Sequence, residues 1–416
     1  MKIVTANKLT NKYYKHLELE KNGIVSQILN DVKKEGDTAI KKYTKQFDNM
    51  DIKNTLISKK QIQNAYKLVS AKDVQIIKIA AKNIKFFAEK QFATFRNFEI
   101  KKNKTILGQK IIPIEKVGCY VPGGRYSLPS SALMSVIPAK VAGVKEIVVC
   151  SPKIHPLTII TADIAGANKI FNVGGAQAIG AMAYGTKSIP KVNMIVGPGN
   201  KFVAAAKKEV YGIVGIDFIA GPSEVLIISD ETGNPSFIAA DLLAQAEHDP
   251  NSRCDLITTS KNIAKEVNRE LNIQLAKLPT KEIAQKALNN GKIVIVKNLI
   301  EAINISNERA PEHLELQVKN TKEIVSKLTN YGSLFIGNYS AEVFGDYCSG
   351  PNHTLPTNGS SKYTGGLSVG NFIKILTYQK MGKRSCFSLG KIASRLADLE
   401  GLKAHKNAAD IRLEKQ

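Results

Sequence analysis

The chain reads as an α/β protein of two lobes with helical N-terminal and C-terminal extensions. Three observations predict this. From Val117 onward, short Val- and Ile-rich runs alternate with helical stretches. Gly or Pro punctuates most of the junctions, and the first hundred or so residues instead carry apolar side chains at helical spacing. Alternation of this kind builds βαβ units around parallel strands that are apolar on both faces.

The elements follow in order. Ile24, Val25, Ile28, Leu29 and Val32 recur at the helical period, and Ile62 to Phe95 continues in the same style. No proline interrupts residues 1–112, which suits long helices. A first series of strands is expected at Glu146–Cys150, Lys169–Val173 and Val192–Val196. A second is expected at Glu224–Ile228, Asp255–Thr259, Lys292–Lys297 and Ser333–Ile336, the two series meeting near Ala220-Gly221-Pro222. The run Val173-Gly174-Gly175-Ala176-Gln177-Ala178-Ile179-Gly180 lies between a strand and a helix without forming G-x-G-x-x-G. Its glycines either offer backbone N–H groups to a pyrophosphate or let strand and helix pack closely. After Phe344 the chain is loop-rich, and it closes with a helical tail from roughly Lys391 to Lys406.

Composition narrows the function. With 416 residues and 43% apolar content, the chain can fill more than one core. No run approaches the roughly 18 apolar residues of a membrane span, and the polar N-terminus offers no signal-peptide core. A cytoplasmic protein without a membrane partner is expected. The five cysteines are scattered and never spaced C-x-x-C, which argues against disulfides and an all-thiolate zinc site. A net charge of +23 invites a nucleic-acid reading, but the lysines are spread along the chain, Trp is absent and aromatics reach only 6%. Base-stacking platforms are therefore scarce and no nucleic-acid partner is expected, though a basic surface favours anionic small molecules, dinucleotides included.

Four of the six histidines lie beyond residue 240, each beside polar residues. Gln245 and His248, three apart, share one helix face, and Pro250 places His248 in the last turn. Their amide oxygen and imidazole suit a divalent metal, although a helix-terminal His also simply meets free carbonyls. Asp346 and His353 stand in a Gly/Pro-rich loop, a solvated turn or a place where functional groups are held over a scaffold. His405 sits in the helical tail five residues after Glu400 and, alone, reads as a surface residue. In Ala310-Pro311-Glu312-His313-Leu314, Pro311 suits the first turn of a helix. Glu312 and His313 at such a start would diverge by about 100° and could serve two different steps, or form a mere capping pair. The helix dipole would keep His313 neutral and make Glu312 a weak base unless it is desolvated. Cys150 ends an apolar strand with no nearby base, so a buried, inert thiol is expected.

Taken together, these segments resemble the histidinol dehydrogenase family across essentially the entire chain. The motifs are Val117-Gly118-Cys119-Tyr120-Val121-Pro122-Gly123-Gly124, Val173 to Ile179, Gly197-Pro198-Gly199-Asn200 and Ala220-Gly221-Pro222-Ser223-Glu224-Val225. Further along come Gln245-Ala246-Glu247-His248, Arg309-Ala310-Pro311-Glu312-His313-Leu314, Gly345-Asp346-Tyr347 with Asn352-His353, and Ala404-His405-Lys406. The resemblance implies a zinc- and NAD-dependent enzyme oxidising L-histidinol through the aldehyde to L-histidine, the last step of histidine biosynthesis, with two NADH per turnover. It implies one Zn2+ per subunit on Gln245, His248, Asp346 and a His405 supplied by the other protomer of a homodimer with shared active sites. Glu312 and His313 match the acid–base pair; Ser223, His353 and Glu400 match substrate contacts, as do His313 and the metal ligands; Tyr120, Gln177 and Asn200 match NAD contacts.

The implied fold is an intertwined dimer of two incomplete Rossmann-like lobes, residues 16–119 with 225–366 and residues 120–224, with a small N-terminal segment 1–15 and a partner-reaching tail 367–416. Cys119, Cys348 and Asn371 depart from the family pattern without touching a proposed ligand or base. Two rival classes, a zinc hydrolase and a basic nucleic-acid-binding module, would reduce no nicotinamide.

Overall fold

A computed structural model describes residues 1–15, 22–123 and 126–414; His16, and Gly124 of the first glycine motif, lie outside the described residues. The strands are β1 (Lys2–Thr5), β2 (Phe98–Lys102), β3 (Thr105–Pro113), β4 (Lys116–Tyr120), β5 (Glu146–Cys150), β6 (Lys169–Phe171) and β7 (Met194–Val196). They continue as β8 (Gly215–Ile216), β9 (Glu224–Ser229), β10 (Arg253–Thr258), β11 (Lys292–Ile295), β12 (His313–Gln317), β13 (Ser333–Ile336) and β14 (Ile373–Met381). The chain divides into two compact units, Met1–Gln91 with Ile114–Phe372, and Phe92–Pro113 with Ile373–Gln416.

The first unit is mixed α/β and holds two parallel sheets. One has five strands in the order β6-β5-β4-β7-β8, the other six in the order β1-β11-β10-β9-β12-β13. Strands expected from their Val/Ile runs form β5, β6, β7, β9, β10, β11 and β13 at or within a few residues of the expected places. Continuous apolarity is explained by burial on both faces. Along β9, Val225 and Ile227 pack with helix Pro235–Ala246 and helix Lys261–Leu275, while Leu226 and Ile228 pack with helix Leu299–Arg309 on the opposite side. In the five-stranded sheet, Val148 and Ile195 join Val25, Ile28, Leu29 and Val32 of helix Gly23–Glu35. Helix Gly175–Tyr184 lies against that helix; a Cβ on Gly180 would sit 3.1 Å from Leu29 and 3.3 Å from Val32. A Cβ on Gly174 would overlap Pro152 at 2.2 Å, so close packing accounts for these two glycines.

The structure corrects several expectations. Pro311 does not start a helix. Ala310, at φ +49°, closes helix Leu299–Arg309 in the left-handed region, and Pro311 follows that cap. His313–Gln317 is the buried strand β12, between β9 and β13, with Leu314 and Leu316 turned to the core. The helix-dipole argument for His313 and Glu312 therefore lapses. His248 lies just past helix Pro235–Ala246 rather than in its last turn, its N–H 3.4 Å from the Gln245 carbonyl. Asp346 stands on the short helix Glu342–Tyr347, not in a loop. Residues 2–5 form an edge strand instead of a helix, because their partner is β11, far along the chain.

The second unit is an antiparallel sheet, β14-β3-β2, with helices Lys383–Leu399 and Lys403–Glu414. The hairpin β2–β3 turns at Asn103 and Lys104, both in the left-handed region (φ +49° and +63°). The tail thus contains a strand, and its helical part starts before Lys391 and breaks at Gly401 (φ +77°). Among the described residues no helix is long and apolar enough to cross a membrane.

Candidate active site

A cavity of about 550 Å³ opens in the first unit, its wall including Ser223, Gln245, His248, Glu312, His313, Asp346 and His353. Pro198, Gly199, Asn200, Lys201 and Phe202 complete another side. That second side is a turn held from below. Lys207 and Asp217 form a buried ion pair, and they hold both main-chain polar groups of Gly197: its N–H donates to Asp217 Oδ2 (2.8 Å) and its carbonyl accepts from Lys207 Nζ (2.9 Å). Asn200 caps helix Lys201–Val210, its Oδ1 accepting from the N–H groups of Phe202 and Val203.

Glu312 and His313 are buried at the entry to β12, at 6% and 4% exposure. The Glu224 N–H donates to Glu312 Oε2 at 2.8 Å, and His313 Nδ1 lies 3.0 Å from the Glu224 carbonyl oxygen. A carbonyl only accepts, so Nδ1 carries the hydrogen and Nε2 is the nitrogen left for chemistry. That Nε2 makes no hydrogen bond and lies 3.6 Å from Asp346 Oδ1. Burial pushes the Glu312 carboxyl up to about 8, against the opposing pull of His313. Burial alone would lower His313, but the carboxylates of Glu312, Asp346 and Glu342 raise it well above the usual imidazole value. Burial works against the Asp346 carboxylate too, yet the nearness of His313 first, and of His353 and His248, holds it below the usual range. Burial lowers His353, whose Nδ1 is 2.7 Å from the Asp346 carbonyl.

Gln245, 1% exposed, satisfies both ends of its carboxamide only with its nitrogen turned to Glu342, the assignment its neighbours require: it then donates to Glu342 Oε1 (3.1 Å) and accepts from the Glu224 N–H (3.0 Å). Glu342 is buried 3.9 Å from His313 Nδ1, and its own N–H donates to Glu315 Oε1 at 3.0 Å. Glu315 shares Gln317 with Asp241, and burial raises the carboxyls of Glu342, Glu315 and Asp241 alike. Sequence reasoning missed this acidic layer. Glu315 was detectable as a charge inside a buried run, whereas nothing local marks Glu342.

Among the described residues no group of three or more His, Cys, Asp or Glu is arranged to hold a metal ion. Tyr120 and Gln177 are buried and do not line the cavity; the Tyr120 hydroxyl accepts from the Gly175 N–H at 3.1 Å. Glu400 and His405 belong to the second unit and are exposed there, Glu400 ending helix Lys383–Leu399 and His405 on helix Lys403–Glu414. Burial raises the Cys150 thiol, and pushes Cys119 up to about 12, which leaves both as inert thiols. Cys348 is exposed, and Asn371 accepts from the Ser368 N–H at 2.8 Å.

Residues 13–413 match the family model described as histidinol dehydrogenase. The chain belongs to the histidinol dehydrogenase family. It is 50% identical over 394 residues to the histidinol dehydrogenase of Methanocaldococcus jannaschii, covering 94% of this chain and 92% of that one. The Bacillus cereus histidinol dehydrogenase is 47% identical over 397 residues, with the same coverage, 94% and 92%. The crystal structure of histidinol dehydrogenase from Elizabethkingia anophelis superposes with a TM-score of 0.92 at 40% identity, covering 97% of this chain and 95% of that one. As a histidinol dehydrogenase family member the chain is an NAD-dependent oxidoreductase of the last step of histidine biosynthesis.

Proposed function

We propose that the chain oxidises L-histidinol to L-histidine in two NAD+-linked steps at this cavity, with zinc bound and with a residue of a second copy completing the site. The observation that carries the reading is the convergence of Ser223, Gln245, His248, Glu312, His313, Asp346 and His353, from segments far apart in sequence, on one cavity wall. The donor set suits a dication: an anionic carboxylate, an imidazole and a carboxamide, beside the carbonyl end of helix Pro235–Ala246. Gln245, His248 and Asp346 would hold it together with His405 of the partner subunit. Bound there, zinc would supply a Lewis-acid template orienting the substrate's imidazole and amino nitrogens.

The protein's own groups divide the work. His313 Nε2 takes the alcohol proton while the carbinol C–H leaves as hydride to NAD+, giving the aldehyde. Glu312, its carboxyl raised toward neutrality, takes a proton from a water that adds to the aldehyde carbon, and the hydrate gives hydride to a second NAD+. Ser223 and His353, with Glu400, hold the substrate through both steps, so the aldehyde need not leave. Asn200, Tyr120 and Gln177 are assigned to NAD; the last two would have to become accessible.

The lobes are read as incomplete Rossmann-like halves, one around each parallel sheet. The expected bounds, 16–119 with 225–366 and 120–224 with segments 1–15 and 367–416 outside, need adjusting: the break at 119/120 falls inside β4, β1 joins the six-stranded sheet, and 92–113 go with the tail. Dimerisation is supported by the apolar side chains that the second unit leaves to water, among them Ile375, Leu376, Leu389, Ile392, Leu396 and Leu399. The enzyme is assigned to the cytoplasm as a member of a biosynthetic family. The test is spectrophotometric: two NADH should form per L-histidinol, and a chelator should abolish the signal until zinc is restored. One NADH per substrate, or full activity in chelator, would refute the scheme.

A further inference from the structure

Glu224 opens β9 at 8% exposure, where a carboxylate needs a partner. It has one in Arg309, 3% exposed, at the end of helix Leu299–Arg309, with Nη2 3.2 Å from Oε1. The pair is a poor stabiliser. Glu224 Oε2 and Arg309 Nε and Nη1 make no hydrogen bond among the described residues. Two desolvated ions joined by a single contact do no better than a well-packed apolar pair.

Their placement is more informative. Arg309 immediately precedes Ala310, whose left-handed conformation turns the chain through Pro311 into Glu312 and His313. Glu224 meets the same two residues with its main chain: its N–H holds Glu312 Oε2 at 2.8 Å, and its carbonyl holds His313 Nδ1 at 3.0 Å. The same N–H faces the Gln245 carboxamide at 3.0 Å, its oxygen in the orientation assigned above. Neither Glu224 nor Arg309 lines the cavity. From this geometry we infer that the Arg309–Glu224 ion pair is the positioning element of the acid–base pair. It ties the start of β9 to the turn at Ala310, so that one backbone unit aims Glu312 and fixes the His313 tautomer that presents Nε2. The inference rests on the acid–base roles given to Glu312 and His313.

Changing both partners, Glu224→Gln with Arg309→Met, removes both charges at similar volume and leaves no lone buried ion. The zinc-loaded enzyme should then keep its Tm and its KM for L-histidinol and NAD+. Its kcat should fall about 10- to 100-fold in both oxidations, the second measured from the aldehyde, as expected when catalytic groups drift by an ångström or less. Unchanged kcat at unchanged Tm would overturn the inference, as would a joint loss of Tm and rise of KM with kcat intact. Should the double variant fail to fold, Arg309→Lys keeps the charge without the planar fork. A severalfold drop in kcat at unchanged KM upholds the inference, and wild-type kcat overturns it. His313→Asn and Glu312→Gln run in parallel separate the two failures. If His313→Asn is fast in the first oxidation and Glu312→Gln in the second, the acid–base reading has failed; if each is slow in its own step while the double variant is fast, only the positioning role has.

Discussion

The five-stranded sheet meets the cavity past the carboxyl ends of its strands, where β4 runs on to Pro122 and β7 into Pro198–Phe202. The six-stranded sheet meets it before the amino ends, where Ser223 precedes β9 and Glu312 precedes β12. In a right-handed βαβ arrangement these ends differ in charge. Beyond a strand's carboxyl end comes the N-terminus of a helix, the positive end of its dipole, here Lys201–Val210 with its first turn capped by Asn200. Before a strand's amino end comes the C-terminus of a helix, the negative end of its dipole, here Pro235–Ala246 and Leu299–Arg309. One wall therefore favours anions such as a dinucleotide's phosphates, the other a dication and an imidazolium. On this reading the two substrates are sorted by backbone polarity before any side chain acts.

The hardest blow to this division should come from the cationic wall. His313→Asn should slow the first oxidation by about 10²- to 10⁴-fold, whereas Glu312→Gln should spare it and slow the second by a similar factor. Stopped-flow NADH formation from L-histidinol and from the aldehyde separates the two; equal collapse of both steps in Glu312→Gln would remove its assigned role. Because His313 is raised well above the usual imidazole value, it must shed a proton before accepting one, so the first oxidation should accelerate as pH rises above about 6.5. A rate that falls over that range contradicts this.

Next comes the ion. His405→Asn should weaken zinc binding at least as much as the roughly 10- to 100-fold that outer-shell changes cost, with KM for NAD+ unchanged. Zinc content after dialysis is the measurement, and full retention would exclude His405 from the shell. On the anionic wall the effect is smaller. Asn200→Ala removes a helix cap, so it should raise KM for NAD+ a few-fold and lower stability by about 0.5–2 kcal/mol, leaving KM for L-histidinol alone. Equal changes in both KM values would erase the proposed sorting.

The smallest effect concerns the acidic layer. Burial, then Asp241, holds the Glu315 carboxyl well above its usual value, so the folded state binds that proton more tightly than the unfolded chain does. Stability from this group is complete below about 4.3 and is lost as pH rises through the raised folded value. Glu315→Gln keeps an acceptor for the Glu342 N–H but cannot titrate. Its Tm should therefore fall less steeply with rising pH, by about 2–5 °C across that window. An unchanged slope would mean that Glu315 is already ionised.

What could be read from the sequence tracks the reach of the interactions involved. β9 was legible because Val225, Leu226, Ile227 and Ile228 are all buried, half on each face. Gln245 and His248 were readable as near neighbours three residues apart, but not the helix end at Ala246, which leaves His248 in the turn beyond it. β12 was not. A proline suits both the first turn of a helix and the residue after a helix cap, and what decided between them was the left-handed Ala310. Asp346 and His353 were readable as neighbours, but not the bond from His353 Nδ1 to the Asp346 carbonyl. Glu342 was invisible because its partners, Gln245 and His313, come from other segments. The second unit's sheet was missed for the same reason, since β3 pairs with β14 across most of the chain.

That long-range pairing also sets a timetable. Lys2 has no strand to join until Lys292 has been made, and Thr105, paired on one side with Lys102, waits for Met381 on the other. The five-stranded sheet, closed by residue 216, can assemble while the ribosome is still working. The first strand and one edge of the β2–β3 hairpin must be carried unpaired until those distant partners are made, which makes the newborn chain's exposed edges, rather than its finished form, the stage at which a chaperone is needed.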